Sequence, residues 1–175
     1  MPISKKLNTL LNEQVGHELA ASHQYVAIAT YFEQAALQTM ARHYYTQALE
    51  ERDHAMRLVK LILDSDAVLK IPAVPAPKMG FKSSLEAVQV ALDGEARVTA
   101  QINALQDQAM ADKDHLSRNA LEWFVNEQRE EMTSASTLVA MVKRAGEGGM
   151  FFVEAFLKDG GLAQPGEGGG AEGAA

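Results

Sequence analysis

The chain has 175 residues, 47% of them apolar and 22% charged, with a formal net charge of -7. That is the length of one domain with enough apolar side chains for a full core, and the acidic balance leaves no basic surplus to meet phosphates, so no nucleic-acid partner is expected. Cysteine is absent, which removes disulfides, thiolate zinc sites and thiol catalysis; no long apolar run and no apolar leader is visible, so neither a membrane span nor secretion is expected and the location is read as cytoplasmic.

The five prolines are Pro2, Pro72, Pro75, Pro77 and Pro165. The long intervals between them permit long helices, because proline costs about 3 kcal/mol in a helix interior. Helical periodicity predicts four helices, at roughly 4–36, 38–64, 83–111 and 114–144. On the first, Leu7, Leu11, Gln14, Glu18, Ala21, Tyr25, Ile28 and Phe32 share a face. On the second the face is Tyr44, Ala48, Glu51, Ala55, Leu58 and Ile62. The third carries Leu85, Val88, Leu92, Glu95, Val98, Ile102 and Leu105, with Ser83 or Ser84 as its N-cap. The fourth carries Leu121, Phe124, Gln128, Glu131, Ala135, Leu138 and Val142. A short fifth helix, Met150 to Leu157, follows the break at Gly146, Gly148 and Gly149.

Short connections make the first and second helices antiparallel neighbours, and likewise the third and fourth. Residues 65–82 are different: rich in proline and alanine, they could span ~60 Å when extended, against about 40 Å for the second helix. They can run the length of the bundle, and Val68, Leu69, Ile71, Val74 and Phe81 look made to pack. The expected fold is therefore all-α, a four-helix bundle with one long crossover and a short fifth C-terminal helix. The domain is placed at 1–159. Residues 160–175, dominated by glycine and alanine, are read as a flexible tail.

Each of the four apolar stripes is interrupted once, near mid-helix, by a glutamate: Glu18, Glu51, Glu95 and Glu131. Helices of similar length packed side by side bring their midpoints to one height, so the four carboxylates should meet in the core. Unpaired buried charge is costly and four like charges repel, and no Lys or Arg occupies the same stripes. A cation is the simple remedy. His54, three residues after Glu51, projects from the same side. A Glu-x-x-His pair alone is ordinarily a surface pair; joined to three more core carboxylates it offers several oxygens and one nitrogen, a set suited to iron or manganese. That is too many ligands for one tetrahedral zinc and about right for two divalent ions bridged by a glutamate. His17, His23, His43 and His115 fall off the stripes and read as surface or interface residues, and the eight methionines read as core filling.

The segments NEQVGHELAASHQY, ALEERDHAMRLV, LDGEARVTAQINAL and LEWFVNEQREE resemble the four ferroxidase-centre segments of bacterial non-haem ferritins, and the likeness extends over nearly the whole chain to about residue 158. The resemblance implies that Glu18, Glu51 and His54 hold a first iron, and that Glu51 bridges to a second held with Glu95 and Glu131. Gln128 would hydrogen-bond beside the metals. Glu50, Glu127 and Glu130 match a third iron site of a subset of the family. Tyr25 and Trp123 match aromatics that can supply an electron, a role that competes with plain core packing. The implied function is iron storage and detoxification: ferroxidase oxidation of Fe(II) by dioxygen or hydrogen peroxide at a non-haem di-iron centre, with ferric oxyhydroxide deposited inside a homo-oligomeric shell of 24 subunits. A non-storing di-metal redox enzyme, such as a peroxide scavenger or oxygenase, is the alternative; a metal-free structural bundle is a third reading.

Departures refine the match. Haem-binding bacterioferritins carry a methionine directly after the bridging glutamate and a second Glu-x-x-His in the fourth helix. Here Arg52 follows Glu51, and the fourth helix reads Gln128-Arg129-Glu130-Glu131. No haem is expected, since a guanidinium has no lone pair to donate. Gly16 and Gly94 stand beside Glu18 and Glu95, where close helix approach or room for iron entry are the two explanations.

Overall fold

The computed structural model describes residues 3–162. These form α1 (Lys5–Gln34), α2 (Gln38–Asp64), α3 (Ser84–Ala111), α4 (His115–Ala145), a single 3-10 turn (Glu147–Gly149) and α5 (Met150–Lys158). Among the described residues there is no strand and no helix long and apolar enough to cross a membrane. Most of the segment read as a tail, 163–175, lies outside the described residues.

Three of the long helices start on their own side-chain caps. Ser4 Oγ accepts the N–H of Leu7 at 3.0 Å, Ser83 Oγ that of Glu86 at 3.1 Å, and Asp114 Oδ1 that of Ser117 at 3.0 Å. Each cap satisfies an amide that would otherwise have no intrahelical partner. The start of α2 has no such residue, because Leu37 occupies the cap position. Its amides are met from α5: Glu154 Oε1 accepts the N–H of Thr39 at 2.6 Å and of Met40 at 2.9 Å. Glu147 likewise accepts the N–H and hydroxyl of Ser84, both at 2.7 Å. The C-terminal segment is thereby fastened to the N-termini of α2 and α3, where the helix dipole favours a carboxylate.

The helices turn at Ala36, Asp66 and Lys113, all at positive φ of 52–59°, the left-handed conformation that commonly ends a helix. α1 packs antiparallel to α2 and α3 to α4; α1 also lies against α3 and α2 against α4, and α5 crosses the end made by α2 and α4. The crossover descends along α1. Asn12 Nδ2 donates to Val68 O at 3.0 Å, and Gln24 pairs with the backbone of Lys78 in both directions, at 3.0 and 2.8 Å. Between these clips Pro72 lies directly on Gly16; a β-carbon there would overlap the proline ring. Close approach is therefore the reason for Gly16, although the close partner is the crossover and not another helix.

Two expectations about packing are corrected. Of the crossover residues, Phe81 is buried and Leu69 packs on the core, but Val68 and Ile71 are 62% and 60% exposed. The irregular backbone is held by side-chain amides from α1, so its apolar side chains are free to face outward. Met40 and Met150 fill the core, whereas Met56, Met79 and Met110 are exposed.

The interior has two apolar clusters. One joins Ile28, Phe32, Met40, Tyr44, Val88, Leu138 and Met150, among others. The other joins Leu7, Leu11, Leu58, Ile62, Ile102, Leu105 and Leu121, among others. A polar belt lies between them.

Candidate metal centre

The belt is made by Glu18 on α1, Glu51 and His54 on α2, Glu95 on α3, and Gln128 and Glu131 on α4, all buried. Each replaces an apolar residue at mid-helix, and the side-by-side packing of four long helices of similar length brings their midpoints to one level. Two groups have donor atoms all within 4.8 Å of one another: Glu18, Glu51 and His54, and Glu51, Glu95 and Glu131. Glu51 belongs to both. The five residues that sequence spacing singled out are thus brought together, in two sets sharing one carboxylate.

Their hydrogen bonding is incomplete in a telling way. Gln14 Nε2 donates to Glu18 Oε1 at 2.9 Å. The Tyr25 hydroxyl donates to Glu95 Oε1. Gln128 Nε2 donates to Glu131 Oε2 and is itself oriented by Thr99, whose hydroxyl donates to Gln128 Oε1 at 2.9 Å. Each of these partners satisfies one oxygen of a carboxylate. Among the described residues, Glu18 Oε2, Glu51 Oε2, Glu95 Oε2 and Glu131 Oε1 are buried with no hydrogen-bond partner. Four orphan acceptors facing one space are costly unless a cation lies among them. The donor set fits a pair of divalent ions: carboxylate oxygens with one imidazole, and a shared Glu51 between them.

Protonation follows from the same geometry. Burial pushes the Glu18 carboxyl up to about 7, with Glu95 adding repulsion against the help of Glu51 and Gln14. Burial, then the charges of Glu95 and Glu131, raises Glu51 well above its ordinary value. Burial, then Glu95 and Glu18, raises Glu131 well above it too, and burial raises Glu95 against its Tyr25 and Gln128 bonds. His54 Nδ1 stands 3.4 Å from Glu51 Oε2 and 3.7 Å from Glu131 Oε1. Burial nonetheless lowers the imidazole to about 4, with Arg57 contributing. At neutral pH this is a neutral imidazole beside carboxylates and not an ion pair, which is the form that ligates a metal.

Around the belt, Trp123 stands edge-on to His54 at 5.3 Å and carries the Arg57 guanidinium over its ring at 4.0 Å. Tyr25 leans on Tyr44 at 5.6 Å. Glu50 and Glu127 are half-buried and Glu130 is exposed. Burial lifts Glu50 to about 7, with Glu127 and Asp53 repelling it, and Glu127 is raised by burial and by Glu130. Among the described residues these three do not form a third group as tight as the other two. Of the remaining histidines, His17, His23 and His115 are exposed. His43 is half-buried against Tyr44, with ring centroids 4.9 Å apart.

Sequence spacing did not single out Gln14 or Thr99 as supporting residues. Gln14 was legible in principle, since it precedes Glu18 by one helical turn on the same stripe. Thr99 carries no such signal; its role depends on how α3 faces α4.

Residues 8–145 match the family model described as a ferritin-like domain. The chain is 41% identical over 155 residues to the ferritin BfrB of Mycolicibacterium smegmatis, covering 89% of this chain and 85% of that protein. It is 37% identical over 145 residues to the bacterial non-heme ferritin of Staphylococcus haemolyticus, covering 83% and 87%. In structure it is similar to the open pore ferritin of the archaeon Archaeoglobus fulgidus, with a TM-score of 0.85 and 31% identity over 89% of this chain and 96% of that one.

Proposed function

The chain belongs to the ferritin family, and from that premise we propose that it is a ferroxidase that stores iron: it binds two ferrous ions per subunit as substrate, promotes their oxidation by dioxygen or hydrogen peroxide, and passes the ferric product to a mineral held inside a homo-oligomeric shell of 24 subunits in the cytoplasm. The observation that carries this reading is the set of four buried, unpartnered carboxylate oxygens around a shared Glu51.

Each residue has a distinct task. Glu18, Glu51 and His54 offer one ion its ligands, and Glu51, Glu95 and Glu131 the other. Carboxylates stabilise a trivalent ion more than a divalent one, so the belt favours the ferric state and lowers the cost of giving up an electron. Gln14, Tyr25 and Gln128 hold one oxygen each of Glu18, Glu95 and Glu131, which aims the other oxygen inward; such supporting bonds are typically worth 10–100-fold in metal affinity or activity. Tyr25, with its hydroxyl on Glu95, can yield an electron to the dioxygen or peroxide oxidant while its proton passes to that carboxylate. Glu50, Glu127 and Glu130, on α2 and α4, are the residues of a third iron site beside the belt. The ligand position of bacterioferritin haem is taken by the exposed Arg52, so the cofactor set is iron without haem. On α5, Phe151 and Phe152 are 76% and 80% exposed, a patch that assembly would cover.

The test is an anaerobic Fe(II) titration followed by oxygen, read by absorbance and size-exclusion chromatography. The expected result is two ferrous ions bound per subunit, rapid ferric absorbance on oxygenation, and elution on the order of half a megadalton for 24 subunits of 19.0 kDa. A small oligomer that oxidises iron without retaining it would support the non-storing di-metal enzyme instead.

A further inference from the structure

Gly94 lies in the interior of α3, directly before Glu95. A helical glycine costs about 1 kcal/mol relative to alanine, so its presence calls for a reason. Gly16 has one in Pro72. Gly94 does not: a β-carbon there would meet only the end of the Arg97 side chain, at 3.8 Å, and its backbone is not among the positive-φ glycines. What the missing side chain leaves is space.

That space is a cavity of about 250 Å³ between α1, α3 and the crossover. Ala20 and Ala21 from α1 face Ala91 and Gly94 from α3 across it. Interiors and helix contacts are ordinarily close-packed, so four small residues opposite one another make a cleft that the chain leaves unfilled. Tyr25 lines the cleft, and its hydroxyl donates to Glu95. The cleft therefore ends one residue away from the carboxylate belt. Gln101, at the other end, keeps a buried acceptor without a protein partner, a place for water; the stretch beside Gly94 is walled by alanine and valine.

Charge separates this cleft from the opposite face. Among the described residues no carboxylate lines it, and its charged side chain is that of Arg97. The α2 and α4 side instead presents Glu50, Asp53, Glu127 and Glu130; Arg52 stands 3.7 Å from Asp53 and Arg129 3.9 Å from Glu130, while burial, with neighbouring carboxylates adding to it, raises Glu50 and Glu127. Carboxylate ligands for a ferrous ion are thus offered on that face, whereas the cleft offers it a guanidinium.

We propose that the α1–α3 cleft is the access and holding site for dioxygen, kept open by Gly94, so that oxidant and iron reach the belt from opposite sides of the bundle. The proposal rests on the ferroxidase reading above. Dioxygen is small, neutral and apolar, and needs the room and the apolar wall but no charged partner.

Two variants narrow the cleft from its two walls, Gly94→Leu and Ala20→Leu, with Gly94→Ala as a control that adds a β-carbon and little bulk. Xenon serves as an apolar probe in pressurised crystals, and anaerobic Co(II) binding reports on the belt. Xenon beside Gly94 in the wild type, its loss in both leucine variants, a several-fold rise in KM for dioxygen, and unchanged Co(II) binding and peroxide-driven oxidation establish the route. An unaltered KM for dioxygen in both leucine variants overturns it, as does a cleft without xenon. Equal slowing with dioxygen and peroxide also overturns it, since that is distortion of the belt. A wild type that does not oxidise iron removes the ferroxidase reading and the proposal with it, whereas wild-type oxidation with an insensitive cleft removes the access route alone.

Discussion

Glu51 and Leu58 lie two turns apart on the same face of α2, and both are buried, at 1% and 0% exposure. Their energetics have opposite sign. Leu58 belongs to an apolar cluster and contributes by leaving water. Glu51 lies in the belt, where burial and three neighbouring carboxylates oppose its charge. The two clusters stabilise the bundle enough to hold the belt in a state that a cation-free protein would not favour. The electrostatic cost of the belt and its affinity for cations have one origin, buried carboxylates with unpartnered oxygens. Burial alone therefore does not distinguish a structural residue from a functional one here; the unpartnered oxygens do.

The largest expected effect separates the two regions directly. Glu51→Ala removes the carboxylate shared by both groups, so initial Fe(II) oxidation should fall by more than the 10–100-fold typical of supporting residues, while the chelated protein at pH 8 stays at least as stable to denaturant. Leu58→Ala should do the reverse, costing about 2–5 kcal/mol in denaturant melts with oxidation by the folded fraction nearly normal. A Glu51→Ala protein that oxidises at the wild-type rate removes Glu51 from the centre. One that is as destabilised as Leu58→Ala would show that the belt is structural.

A smaller effect is the pH dependence of the metal-free protein. Glu18 titrates near 7 in the fold, with Glu51, Glu95 and Glu131 also raised from the ordinary 4.5. Between the unfolded and the raised folded value the native state binds more protons, so stability rises as pH falls through that window. His54 and His43 act oppositely. Burial lowers both from 6.5 to about 4, so the native state binds fewer protons there and stability falls as pH drops below 6.5. The chelated protein should therefore gain stability from pH 8 to about 6.5, with the gain flattening below that as the histidines oppose it. Denaturant midpoints at intervals across this range check it, provided the oligomer is intact throughout. A monotonic loss on acidification from pH 8 contradicts a carboxylate belt.

What the sequence made legible was whatever periodicity encodes. Four glutamates breaking four apolar stripes located the belt, because a 3.6-residue repeat maps position directly onto a face. Helix bounds were readable to within two residues because Ser83, the short turns and the proline clusters mark them. The crossover was only half legible. Its length implied a run along the bundle, but Val68 and Ile71 looked like core residues and face outward, since the side-chain amides of Asn12 and Gln24 hold the segment by its backbone and leave no hydrophobic pattern. The capping of α2 by Glu154 was hidden for a similar reason: donor and acceptor lie more than 100 residues apart. Side-chain partnerships across the fold, including Thr99 with Gln128, have no period to read.

The smallest contrast concerns the two glycines at belt height, and it asks whether the space around the belt is there for packing or for passage. Gly16→Ala would drive a β-carbon into the Pro72 ring. The crossover is clipped to α1 on both sides, at Asn12 and Gln24, so it cannot simply lift away. A loss of about 1–3 kcal/mol is expected, the usual cost of overpacking. Gly94→Ala meets no such obstacle. Its β-carbon enters open cleft, and the helix gains the alanine preference of up to about 1 kcal/mol. Paired denaturant melts of the metal-free proteins decide it. Equal destabilisation would mean that both glycines serve close packing and that the cleft beside Gly94 closes in solution. Opposite signs would mean that α3 forgoes helix stability next to Glu95 to keep that wall of the belt thin.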